Sequence, residues 1–372
     1  MKQRSNNIEA LLALLRAGLW ENEARLSTFE GIDFEEVYRL AEYQSVTGLV
    51  AAGIEHLSGV KVSQGVVLQF VSTTLQLESR NRAMNEYLQT LITKLRKAEV
   101  YALLLKGQGM ANCYEKPLWR TCGDIDLFLS DDNYNKAKQI LAPLATSTEP
   151  EEVYKKHLGL VIDDWLVELH GNLYSSLSRR VERVLDSIYQ DTFYKGEVRS
   201  WNNGGMQVFM MSKENDVLYV FTHILQHYFH GGIGLRQICD WCRLLWTFRD
   251  TLNYGMLESR IRKMGLMTEW KAFAYFAVKE LGMSEEAMPF YKNTTRWKSK
   301  ANRIKEYIIE TGNFGNRDLG YVRESSYLSR KIQSFKNTIG EALVHFRTFP
   351  LDSIRFFVYY SFIRLQALIR GE

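Results

Sequence analysis

The chain has 372 residues, 46% of them hydrophobic and 13% aromatic, which excludes a disordered chain and provides apolar mass for two or three structural units. Its 47 basic and 43 acidic residues leave a net charge of +4, which argues against a nucleic-acid partner, because a phosphate-tracking surface needs clustered Lys and Arg. Met1 to Ile8 contains no apolar signal core, and Arg355 and Arg364 interrupt the apolar stretch Ile354–Ile369, so no membrane span is expected.

The N-terminal part reads as helix. Leu11, Leu12, Leu15 and Leu19 fall at helical spacing, as do Val37, Leu40 and Ala41. A long amphipathic run from Val62 to Lys97 places Leu88, Leu91, Ile92 and Leu95 on one face. The texture then changes. Val100–Leu105 is a short apolar run ended by Lys106-Gly-Gln-Gly109, the pattern of a buried strand feeding a helix. Ile125–Leu129 is a second short strand, and Asp131–Leu141 a helix with Ser130 as its N-cap. Gly159–Ile162 and Trp165–His170, joined at Asp163-Asp164, read as a hairpin. From about Ser212 the chain is helical again, with breaks at Gly231-Gly232, at Gly312–Gly315 and at Pro350. The fold class expected is α+β: a small mixed-sheet core at 99–200, between an N-terminal helical region at 1–98 and a C-terminal helical domain at 201–372. Four cysteines suit a reducing compartment, and a cytoplasmic location is expected.

Side chains two apart on a strand share a face, so Asp124 and Asp126 project together while Ile125, Leu127 and Leu129 face a core. Two neighbouring carboxylates repel unless a cation lies between them, and Mg²⁺ or Mn²⁺ takes carboxylate oxygens while keeping sites for phosphate. By the same parity Leu166, Glu168 and His170 share a face, which makes Glu168 a candidate third metal ligand. Lys106-Gly107-Gln108-Gly109 lets the backbone approach phosphates at a helix start.

Together these segments resemble the polymerase-β-type nucleotidyltransferase superfamily, with its Gly-rich turn, D-x-D and distal acid. More narrowly the chain resembles a bacterial family of uncharacterised nucleotidyltransferases. The likeness runs through Leu104-Leu-Lys-Gly107, Tyr114–Arg120, Gly123-Asp-Ile-Asp-Leu127, Val167-Glu-Leu-His170, Thr222–His230, Gly232–Asp240 and Gly312-Asn-Phe-Gly315. The resemblance implies an enzyme that uses Mg²⁺ or Mn²⁺ to move a nucleoside monophosphate from ATP or another NTP to an acceptor hydroxyl, with release of pyrophosphate. Asp124, Asp126 and Glu168 then bind metal, and Glu168 orients or deprotonates the acceptor, an unidentified small molecule or saccharide. Gly107 and Gln108 hold the nucleotide phosphates, although the superfamily usually has Gly-Ser at that turn.

Around this core Lys106 and Arg120 are candidate phosphate contacts, and His170 is a candidate nucleotide contact beside Glu168. His223, His227 and His230 share a helical face with Asp216, where they close the cleft opposite the acids, lie on the surface, or bind zinc. Arg236 and Asp240 stand one helical turn apart, as an intrahelical ion pair or as a buttress of the site. Cys239 and Cys242 sit in a helical pattern that favours core packing. Two further readings stay open: a nucleotide-binding protein with weak or no turnover, and a zinc protein centred on the three histidines.

Overall fold

The structure, a computed structural model, describes residues 2–313 and 339–369. The expected break at Gly312–Gly315 is therefore described only as far as Asn313, with helix α12 (Thr295–Thr311) ending at Gly312.

The N-terminal part is helical: α1 (Lys2–Trp20), α2 (Phe34–Tyr43), α3 (Thr47–Glu55) and the 34-residue α4 (Gln64–Lys97). Two short strands, β1 (Ala24–Arg25) and β2 (Leu57–Ser58), pair in parallel apart from the main sheet. Helices α1 and α3 approach closely because Gly18 and Gly53 lack side chains. A Cβ on Gly18 would stand 1.9 Å from the Leu49 carbonyl oxygen.

The main sheet has seven strands: β3 (Ala102–Leu105), β4 (Asp124–Leu129), β5 (Ser147–Thr148), β6 (His157–Ile162), β7 (Trp165–His170), β8 (Val198–Asn203) and β9 (Met206–Met211). Their order is β5-β6-β7-β4-β3-β9-β8. The sheet is mixed: β4 runs parallel to β7 and antiparallel to β3, and β3 runs parallel to β9. The fold is thus α+β, as the sequence texture implied.

The β6–β7 hairpin forms where expected. Asp163 and Asp164 both take positive φ (49° and 66°), the conformation that a two-residue hairpin turn with strand-matched twist requires. The β8–β9 hairpin is a correction to the sequence reading. It turns through Asn203-Gly204-Gly205, a strong turn signal. Strand β8 crosses residue 200 and β9 lies beyond it, so the sheet continues past the expected end of the core.

Alternation along the strands divides the interior into two cores. Ala102, Leu104, Ile125, Leu127, Leu129, Val167 and Leu169 pack against α4 and α6 (Asp131–Leu141). On the opposite face, Leu103, Leu105 and Phe128 join the core built by α7 (Arg179–Tyr194), α8 (Lys213–His230) and α9 (Leu235–Phe248). Asp124, Asp126, Glu168 and His170 lie on this second face, at the edge where it opens into a cleft. Helices α10 (Tyr254–Met264), α11 (Met267–Glu280) and α12, with the C-terminal helix Pro350–Ile369, complete the α8–α9 side. Among the described residues no helix is long and apolar enough to cross a membrane. All four cysteines are buried and unpaired, and Cys239 and Cys242 belong to the core of α9.

Candidate active site

The site is built on two parallel neighbours of the sheet. Register places Asp124 beside Leu166 and Asp126 beside Glu168, so the three acids meet on one face although the chain between them is long. Their nearest carboxylate oxygens all lie within 4.8 Å of one another. Asp126 is only 1% exposed, and its Oδ2 is buried with no hydrogen-bond partner among the described residues. Such an orphaned carboxylate oxygen is costly in a folded protein. Both this atom and the all-oxygen donor set fit a hard divalent cation.

Two cationic groups compensate part of this charge. Lys106 Nζ stands 3.3 Å from Asp126 Oδ1, and His170 Nε2 lies 2.9 Å from the same oxygen. Burial opposes the charge on Lys106, but the carboxylates, Asp126 foremost, hold its pKa well above the usual lysine value. Likewise His170, disfavoured as a cation by burial, is pushed upward by its bonds to Asp126 and Glu168. The Asp124 carboxyl is raised, first by the neighbouring Asp126 charge and then by burial. Glu168 moves the other way: burial opposes ionisation, yet His157 Nε2 at 3.2 Å and His170 Nε2 at 3.4 Å hold the carboxyl far below its ordinary range.

The turn that carries Lys106 is strained. Lys106 has φ 47° and ψ −139°, and Gly107 has φ 49°. A non-glycine residue at positive φ persists only where its surroundings demand it, and such residues concentrate at functional sites. Gly107 lines the cleft, where no side chain intervenes between the backbone and a ligand.

Gln108 is a correction. Its side chain is 3% exposed and points away from the cleft, with Nε2 donating to Asn81 Oδ1 at 2.8 Å and lying 3.2 Å from the Met84 sulfur. Asn81 in turn donates to the carbonyl oxygens of Leu118 and Arg120. Gln108 thus anchors the turn to α4, and its side chain does not line the cleft. Gln108→Ala is expected to cost about 1–3 kcal/mol in chemical denaturation, the loss typical of a buried hydrogen bond. It should leave metal–nucleotide affinity within about twofold, since about 0.4 kcal/mol is all that such a change in affinity represents.

Arg120 and Asp240 pair with each other. The guanidinium donates Nε to Asp240 Oδ1 and Nη2 to Oδ2, both at 2.7 Å, and Tyr114 donates its hydroxyl to the same carboxylate at 2.6 Å. Arg120 is 5% exposed and Asp240 6% exposed. Of the two readings for Arg236 and Asp240, the intrahelical pair is not the one seen: Asp240 is taken by Arg120, and Arg236 donates to the carbonyl oxygen of Thr121 at 3.1 Å. Both arginines brace the loop that delivers Asp124, and both reach the cleft wall.

On α8, His223 and His227 close the cleft opposite the acids. Their Nε2 atoms are 3.1 Å apart, and His223 Nε2 lies 3.2 Å from Lys106 Nζ. His230 leaves this group and stacks on Tyr360, with ring centroids 4.2 Å apart. Asp216 is also withdrawn, buried against Arg199 of β8. The three histidines are therefore not gathered around one point, because the last turn of α8 packs against the C-terminal helix.

Burial, reinforced by Lys106 and Arg236, depresses His227 to about 4; burial, reinforced by His345, depresses His230 to about 3. Unfolded histidine titrates near 6.5, so below that pH the unfolded chain binds more protons than the folded one. The stability these neutral rings contribute is present above about pH 6.5 and is lost as pH falls toward their folded-state values. The slope is up to about 1.4 kcal/mol per pH unit for each histidine. Denaturation midpoints measured from pH 7 to 4.5 should fall more steeply in the wild type than in a His227→Gln, His230→Gln variant; equal slopes would refute the assignment.

Sequence reasoning missed His157 and Tyr219, which also line the cleft. His157 was accessible from the hairpin: counting outward from Asp163-Asp164 pairs Ile162 with Trp165 and, at the far end, His157 with His170. Tyr219 stands one turn before His223 on α8.

The cleft, of about 460 Å³, thus has acids from the sheet on one wall, Arg236 and neutral imidazoles on the other, and Lys106 between Asp126 and His223. An acidic trio on adjacent parallel strands thus stands beside a strained Gly turn at the cleft. Residues 30–282, about two-thirds of the chain, match the family model described as uncharacterised nucleotidyltransferase. The chain belongs to that family of uncharacterised nucleotidyltransferases. No curated protein matches it. Among solved structures it is similar to an antigenic nucleotidyltransferase-like protein from Paracoccidioides brasiliensis, at 14% identity and a TM-score of 0.33, over 58% of this chain and 94% of that one. Family membership supports a nucleotidyltransferase role in general terms.

Proposed function

We propose that this protein transfers a nucleoside monophosphate from an NTP to the hydroxyl of a small-molecule or saccharide acceptor, releasing pyrophosphate. The observation that carries the reading is the parallel register that sets Asp126 beside Glu168 with Asp124 on the same face, leaving Asp126 Oδ2 buried and unsatisfied. Asp124, Asp126 and Glu168 are the residues that would hold Mg²⁺ or Mn²⁺. Bound there, the ion would neutralise charge on the transferred phosphoryl group.

The rest of the work falls to the chain itself. Lys106, between Asp126 and His223, and Arg236 attract the triphosphate, for which both offer charged donors. His223 and His227, kept neutral by burial, donate hydrogen bonds without adding charge. Glu168 orients the acceptor hydroxyl by accepting its hydrogen bond, since a carboxylate stabilised this far is a weak base.

A second reading, nucleotide binding with weak or no turnover, is favoured by Gln108, whose amide lies in the core where the superfamily pattern places a serine near phosphate. One assay separates the two. With Mg²⁺ and each NTP at a hundredfold over Kd, Tm should rise by roughly 5 °C, the equivalent of about 2.7 kcal/mol. Pyrophosphate release when small-molecule and saccharide hydroxyl acceptors are added to the same samples supports transfer, whereas a Tm shift without release from any of them supports the sensor. No metal-dependent shift with any NTP rejects both.

A further inference from the structure

A second set of donors stands beside the aspartate pair. His157 on β6 faces His170 on β7 directly across the hairpin, and Glu168 shares their face two residues before His170. His157 Nε2 lies 3.2 Å from Glu168 Oε2, and His170 Nε2 lies 3.4 Å from that oxygen. His170 Nε2 is also 2.9 Å from Asp126 Oδ1. Around an ion with bonds of about 2.0–2.1 Å, adjacent ligand atoms stand about 2.9 Å apart in an octahedron and about 3.4 Å apart in a tetrahedron. The three separations span that range without any side-chain movement.

One further observation points to a ligand. Asp126 is nearly fully buried, and its Oδ2 has no partner among the described residues. Behind His157, Glu152 Oε1 lies 3.7 Å from Nδ1, the side of the ring turned away from Glu168. At that distance the carboxylate attracts the ring without hydrogen-bonding to it. All three donors line the cleft, so coordination positions not taken by protein remain open to substrate or water.

We propose that His157, Glu168 and His170, with Asp126 as a shared donor, bind a divalent transition ion of the Mn²⁺, Co²⁺ or Zn²⁺ class. Mg²⁺ prefers an all-oxygen shell and dehydrates reluctantly, whereas imidazole nitrogen suits the transition ions. The site is therefore distinct in chemistry from an Asp124–Asp126–Glu168 cation site, although it shares two of the acids. It stands whether or not the chain turns over nucleotide.

The test uses Co²⁺ alone, without nucleotide, on the full chain. Visible d–d absorption should appear on titration. His157→Ala should weaken Co²⁺ binding by about tenfold or more. Thermal unfolding of the variant confirms that it is folded. Pulsed EPR of Mn²⁺ bound to the wild type needs no variant and should show coupling to imidazole nitrogen. The proposal is overturned if Co²⁺ affinity is unchanged in folded His157→Ala, or if bound Mn²⁺ shows no nitrogen coupling. The Mg²⁺–NTP thermal shift is a separate measurement. Its failure, with nitrogen-ligated Co²⁺ retained, rejects the nucleotidyltransferase reading alone, and the converse result rejects this site alone.

Discussion

Asp126→Asn should abolish the metal-dependent thermal shift with NTP and lower nucleotidyl transfer by about 10³-fold or more, some 4 kcal/mol of barrier. The expectation follows from position. Asp126 is the most buried of the three acids, it faces Glu168 across the parallel pair, and it alone contacts both Lys106 and His170. The amide keeps the size of the carboxylate but removes the charge that a cation requires. A second effect should accompany the first. The Asp126 charge is the main reason the Asp124 carboxyl sits above its ordinary range, so in the variant Asp124 should titrate lower, observable by carboxyl-carbon NMR against pH. If transfer persists within tenfold of wild type, the acids are not the catalytic centre. If transfer is lost but Asp124 does not move, the coupling between the two carboxyls has been misread.

Asp240→Asn should unfold the protein more readily, by about 3–5 kcal/mol, because it leaves the buried Arg120 guanidinium without its counter-charge. The pair is bidentate, and Tyr114 completes the carboxylate's bonds, so all three groups depend on one another. Urea denaturation gives the loss directly. Replacing Arg120 with Met and Asp240 with Leu together should recover most of it, since two apolar groups of similar volume leave no charge stranded. The double variant also isolates a positioning role. Arg120 and Arg236 hold the loop leading into Asp124, so a stable double variant should still show weaker metal–nucleotide binding. Wild-type affinity in a stable double variant would reduce the pair to a structural brace.

Much of the site was legible because strand geometry is local. Period-two alternation alone places Asp124 with Asp126 and Glu168 with His170, and the apolar residues between them require the opposite face. The turn at Asp163-Asp164 fixes the hairpin register, which also carried His157, a consequence that counting along the strands would have revealed. The β8–β9 hairpin was overlooked for another reason. Its strands mix polar with apolar residues at one end of the sheet, so the turn Asn203-Gly204-Gly205 was a stronger signal than the strands themselves.

What the sequence by itself determined is the chemistry: three acids, a Gly turn with a lysine, and histidines on a helix, each on a definite face of its own element. Which groups meet was decided by tertiary structure. Asp126 stands beside Glu168 because β7 inserts between β4 and the hairpin strand β6. Arg120 takes Asp240 from Arg236 because burial between α9 and the loop before β4 favours a complete bidentate pair over an exposed one along the helix. Gln108 turns inward because Asn81 of α4 offers a partner there, and His230 leaves its neighbours because Tyr360 lies against the end of α8. Local periodicity is encoded in a few adjacent residues, whereas these pairings depend on the packing of whole elements distant in sequence, and only the folded chain brings those together.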